Sequence, residues 1–99
     1  MSNVINLITC AQALPSPWRS SVVGKAEKAV FKVLRMDATS YPEESHDFEE
    51  ALLVLDGQMN LDIQGSITQV RAGEIFIVPA GVPHAVAPGS HGVLVIIDR

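Results

Sequence analysis

An all-β barrel of two antiparallel sheets is the fold class this sequence predicts, and three observations predict it. Short apolar, β-branched runs recur along most of the chain. Gly or Pro interrupts them about every eight to twelve residues, the spacing of strands and turns in a sandwich or barrel. One stretch, Gln58–Gln64, alternates strictly: Met59, Leu61 and Ile63 face one way, and Asn60, Asp62 and Gln64 the other. A period of two marks a half-buried strand. The chain of 99 residues is enough for one compact domain, residues 1–99, and too short for two. Its hydrophobic fraction of 47% against 18% charged residues is that of a globular chain.

The elements follow in order. Residues 3–14 (NVINLITCAQAL) form a short N-terminal helix or arm, stopped by Pro15 and Pro17. Ser20–Val23 is a first strand, Gly24–Glu27 a turn and Ala29–Met36 a second strand, rich in β-branched and apolar residues. Asp37–Glu43 is a loop containing Pro42. Ala51–Leu55 is a strand ended by Asp56-Gly57, a dipeptide that favours tight turns. After Gln58–Gln64, Gly65-Ser66 turns the chain into Ile67–Val70, and Ala72-Gly73 turns it into Glu74–Val78. Pro79–Pro83 is a stiff loop, His84–Ala87 a short strand, Pro88–Gly92 a turn and Val93–Ile97 the last strand. Leu52, Val54, Met59, Leu61 and Ile63 are the expected core.

Two strands lack the in/out alternation. Ala51–Leu55 and Val93–Ile97 are apolar at every position, so each needs cover on both faces. The barrel interior covers one face. The other is left to the N-terminal segment or to a second copy, and a homodimer is expected.

Composition narrows the function classes. A net charge of -4 and a pI near 5.1, with the Lys and Arg residues scattered, argue against nucleic acid as a partner. No apolar run approaches the roughly 18 residues of a membrane span, and the N-terminus lacks the basic-then-apolar pattern of a secretory leader. Cys10 is the only cysteine, which excludes an intramolecular disulfide and fits a small core residue better than a nucleophile. The expected location is the cytoplasm and the expected partner a small molecule.

Four residues stand out as candidate chemistry: Glu44, His46, Glu50 and His84. The first three share parity. If the backbone stays extended from 44 to 54, they face the same way as Leu52 and Val54. Ionisable groups on an apolar face are costly unless they are paired or bound to metal. His84 follows the rigid Pro-Ala-Gly-Val-Pro loop on a distant strand. Carboxylates and imidazoles converging on one cavity suit a divalent Mn, Fe, Ni or Zn ion. A buried ion pair explains His46 and Glu50 equally well, an internal hydrogen bond is the alternative for His84, and a solvated acidic loop at Pro42-Glu43-Glu44-Ser45 is the alternative for Glu44. Glu49 has the opposite parity and points to solvent, and His91 falls in an exposed turn. Trp18 and Tyr41 either line the pocket mouth or serve as packing.

The stretch His46-Asp-Phe-Glu-Glu50 through Asp56-Gly57 resembles the first motif of the cupins, and Gly73 through Pro79, Gly81 and His84 resembles the second. The likeness is to small single-domain cupins of the RmlC-like type, with motif 1 at about 44–57 and motif 2 at about 73–84. It implies a jelly-roll barrel (a double-stranded β-helix) with metal ligands at the interior ends of the two motifs. In that register Glu44 stands at the motif's first histidine, Ala38 at its opening glycine and Pro88 at the asparagine closing the second motif. A shift of one residue puts Glu43 and Ser45 at the two histidine positions and leaves His46 unassigned. The resemblance implies isomerase, dioxygenase or decarboxylase activity supported by a divalent ion. A non-catalytic binding protein and a metal-free barrel are the alternatives.

Overall fold

Residues 3–99 are described by the computed structural model, and eight strands with one short helix make up their regular structure. The helix α1 (Leu7–Gln12) opens with Asn6, whose side chain accepts a hydrogen bond from the Thr9 amide at 3.0 Å. A helix this short is unstable alone. It is held by burying Ala11 completely against Val33 and Val93, with Ile8 and Leu14 beside them. The Arg35 guanidinium also donates to the carbonyls of Ala11 and Leu14, at 2.8 and 3.2 Å, satisfying acceptors that a helix end leaves free.

The strands are β1 (Ser21–Ala26), β2 (Ala29–Asp37), β3 (Tyr41–Glu44), β4 (Glu50–Ile63), β5 (Ser66–Arg71), β6 (Ile75–Val78), β7 (His84–Val86) and β8 (His91–Asp98). All pairings are antiparallel, and the sheet runs β1-β2-β8-β4-β7-β3, with β5 and β6 also on β4. The expected two sheets are therefore joined through β4. Its first half pairs with β8 and β6 and its second half with β5 and β7.

Asp56-Gly57 is where this differs most from expectation. No turn forms there. The register shifts between Val54 and Asp56, and the strand continues through a bulge with Gly57 at φ +80° against Gly92 at φ +103°. Paired glycines let the two backbones approach and β4 bend from one half of the barrel into the other. Residues 37–43 are not wholly a loop either. β3 occupies their end and tolerates Pro42 because it lies at the sheet edge, where a missing N–H costs nothing. β1 also runs on past Gly24, and the turn falls at Glu27 and Lys28. His91 is exposed as expected, but it begins β8 instead of sitting in a turn.

The core follows the predicted parity. Leu52, Val54, Met59 and Leu61 of β4 are buried with Leu34, Met36, Val70, Val78 and Leu94, while Ile63 is half-buried at the margin. The two apolar-throughout strands find different cover. The outer face of β8 lies under α1, where Val93 packs on Ala11. The outer face of β4 with β6 has no such cover, and Leu55, Ile75 and Ile77 stay 37%, 51% and 59% exposed.

Candidate metal centre

Glu44, His46, Glu50 and His84 come together at one end of the barrel interior, but not along one extended strand. Glu44 ends β3 and pairs with His84 of β7. The chain then bends through 45–49 before β4 begins at Glu50. His46 lies in this bend, fixed where the Gly81 amide donates to its carbonyl at 2.6 Å. Its ring stacks on Phe48, with centroids 5.0 Å apart. Only Glu50 keeps strand parity with Leu52 and Val54. Glu43, Ser45 and Glu49 are exposed.

One donor atom from each of the four residues lies within 4.8 Å of all the others. The His84 Nε2 is 3.3 Å from Glu50 Oε1 and 3.9 Å from Glu44 Oε1. The His46 Nε2 is 3.5 Å from Glu44 Oε1 and 3.6 Å from Glu50 Oε2. Glu50 and His84 are buried, while the Glu44 side chain keeps 40% exposure.

Hydrogen-bond chemistry shows what this arrangement lacks. The His84 Nδ1 lies 3.0 Å from the Val82 carbonyl, which can only accept, so Nδ1 carries the proton and donates. In the neutral ring the Nε2 lone pair then points at a carboxylate oxygen of Glu50, one acceptor facing another. The His46 Nε2 is buried with no hydrogen-bond partner. Burial raises the Glu50 pKa, assisted by the charge of Glu44 and opposed by His46 and His84. An acceptor pair and an orphaned buried nitrogen call for a cation or a proton at their centre. A mixed nitrogen and oxygen donor set of this kind fits a divalent transition ion. The Val82 carbonyl fixes the His84 tautomer as such outer partners do at metal sites.

The cluster opens on a cavity of about 190 Å³. Its inner wall is apolar, with Leu34, Leu52, Met59 and Leu94, and Trp18, Tyr41 and Phe48 add aromatic surface. Trp18 and Tyr41 therefore line the pocket, and their rings stand 5.9 Å apart. Trp18 adopts φ +66° and donates its indole N–H to Asp37 and Thr39, which anchors the ring. The Thr39 hydroxyl and then the Trp18 indole hold the Asp37 carboxyl below its ordinary pKa.

Two further charged residues line the cavity without having been expected there, Lys32 and Asp98. Each was detectable. Lys32 shares parity with Leu34 and Met36, and Asp98 with Leu94 and Ile96, so each is a charge on an apolar face.

Residues 33–98 match the family model described as Cupin domain. No curated protein matches. Among solved structures, a cupin-2 domain containing protein from Shewanella frigidimarina aligns with a TM-score of 0.88 at 22% identity, covering 97% of this chain and 94% of the other. The protein NMB1881 from Neisseria meningitidis aligns at 0.83 and 24% identity, covering 97% and 98%. A protein from Ralstonia eutropha, provisionally named a mannose-6-phosphate isomerase, aligns at 0.79 and 17% identity, covering 97% and 96%.

Proposed function

The chain belongs to the cupin domain family, and from that premise we propose that it holds one divalent ion, Mn, Fe, Ni or Zn, with His46, Glu50, His84 and Glu44, and acts on a small molecule in the adjoining cavity. The observation that carries this reading is the His84 geometry: with Nδ1 donating to the Val82 carbonyl, a neutral ring turns its Nε2 lone pair on the Glu50 oxygen 3.3 Å away, and a cation would join the two. Such an ion, when bound, supplies Lewis acidity toward a ligand oxygen. The chain's own residues do the rest. Glu50 and His84 form the buried floor, Glu44 lies at the more open side, and the Trp18 and Tyr41 rings border the ligand space. Metal-assisted isomerase, dioxygenase or decarboxylase chemistry all suit this layout. The second reading, binding without turnover, gains from Glu44 standing where the cupin motif has histidine.

Protein purified without chelator, then reloaded with Mn, Fe, Ni and Zn in turn, should hold up to one ion per chain by elemental analysis. At least one ion should raise the melting temperature. Retention of none and a shift by none would overturn the metal reading and leave His84 and Glu50 as a buried ion pair.

The protein is read as cytoplasmic, where the free thiol of Cys10 stays reduced. It is also read as a homodimer joined through the outer face of β4 and β6. Leu55, Ile75 and Ile77 lie together there, since Leu53 pairs with Ile75 and Ala51 with Ile77. Light scattering at micromolar concentration should give the mass of two chains, and Ile75→Lys with Ile77→Lys should return it to one. A monomer mass for the unaltered chain would refute the dimer.

A further inference from the structure

The cavity has a second polar feature besides the histidine–glutamate cluster. Lys32 and Asp98 line it from β2 and β8, and the Lys32 Nζ lies 3.0 Å from Asp98 Oδ2. The Asp98 side chain is 1% exposed, whereas that of Lys32 keeps 28%. Asp98 pairs with Val30 on one side. Its neighbour Ile97 pairs with Ala51 of β4, the residue next to Glu50, on the other. The lysine is thus held from behind by a buried carboxylate. An ammonium has three donors, so those not taken by Asp98 remain for a ligand.

Charge decides which ligand this suits. The charged groups lining the cavity are Lys32, Glu44, Glu50 and Asp98. With a dication on the two glutamates and Lys32 neutralised by Asp98, the pocket is balanced. Without the ion it is acidic. Neither state carries the net positive charge that would draw in an anion. A phosphate or carboxylate subsite needs several converging donors, whereas here one ammonium is already shared with an aspartate. Arg99 sits over Phe48 and pairs with Asp47 at 3.7 Å, and no arginine is among the cavity's lining residues. A wholly apolar ligand fits no better, since it would strand the free Lys32 donors. The rings of Trp18 and Tyr41 add flat surface suited to the carbon face of a sugar-like molecule.

We propose that the pocket selects a small uncharged, hydroxyl-bearing molecule, with the Lys32 ammonium donating to one of its oxygens, and that it discriminates against phosphorylated and carboxylated analogues. Asp98 acts through Lys32 as a positioning residue. The proposal rests on the preceding reading for the site's location and, in the loaded state, for its charge balance.

The test is a titration by calorimetry and ligand-observed NMR, on metal-loaded and metal-free protein. The probes are D-mannose and D-xylose, set against D-mannose 6-phosphate and glycerate. At least one uncharged sugar should bind about tenfold more tightly than either anion. Lys32→Met should weaken that sugar about tenfold, the loss expected for a hydrogen bond from a charged donor. The double variant Lys32→Met/Asp98→Asn removes the stranded carboxylate and should show the same loss if the single variant folds poorly. Metal content, measured separately, should be unchanged in both. Equal or tighter binding of the anions, binding of none of the probes, or full sugar affinity in the lysine variants would overturn the proposal. Absence of metal with the sugar preference intact would count against the metal reading alone.

Discussion

Replacing His84 with alanine is expected to abolish metal retention while leaving the barrel folded. The His84 Nε2 faces both carboxylates, and its ring is held by the Val82 carbonyl. Alanine removes that candidate ligand without touching the backbone pairing of β7 with β3 and β4. Metal content should fall to background and the metal-dependent rise in melting temperature should vanish, with the far-UV circular dichroism unchanged. Undiminished metal content in the variant would remove His84 from the site. In the unaltered protein the same rise should shrink as pH drops below about 6, because protons displace the ion from imidazole. Glu50 adds to this with a definite sign. Its folded pKa is raised by burial, so its contribution to metal-free stability is present at low pH and lost as pH rises through the folded pKa. Acidification therefore stabilises the metal-free protein through Glu50 while it weakens metal binding, and the two melting curves converge.

Gly57→Ala, like the matching change at Gly92 opposite it, should be a severely damaging single-methyl change outside the site. A Cβ there would lie 2.0 Å from the His91 carbonyl oxygen, and Gly57 already has φ +80°. Only a shift of the backbone could relieve the clash, since the obstacle is the main chain of β8. The expected loss exceeds about 3 kcal/mol, a large share of a small domain's stability. It should lower the melting temperature by at least about 12 °C. Gly65→Ala is the control. Gly65 has φ +87°, but nothing lies within 4 Å of its would-be Cβ. It should lose only about 1 kcal/mol, the cost of a left-handed alanine. Equal losses in denaturant titrations would show that the close approach of β4 and β8 is not what Gly57 serves.

Local periodicity carried much of the fold into view. The alternation of Met59, Leu61 and Ile63, and the parity of Glu50 with Leu52 and Val54, correspond to the inward faces of β4. The four cluster residues were also legible as types out of place near apolar strands. What brings them together was not legible. The bend at 45–49 is set by the Gly81 amide on the His46 carbonyl, a tertiary bond that parity cannot foresee. Asp56-Gly57 reads locally as a turn, and becomes a bulge only because Gly92 of β8 lies opposite. Lys32 and Asp98 did break the apolar pattern of their strands. Their pairing links residues far apart in the chain, so neither marks a site until β2 and β8 are side by side.

The position of β8 between β2 and β4 also bears on how the molecule reaches this state. Until residues 91–98 are in place, the two longest strands have no partner on their facing edges, and the barrel cannot close. Nothing shorter than the whole sheet buries the core, so folding should be a late, all-or-none event dominated by long-range pairing, and slow for a chain of this size. A nascent or truncated chain lacking β8 would expose two apolar edges open to strand addition, and aggregation would compete with closure.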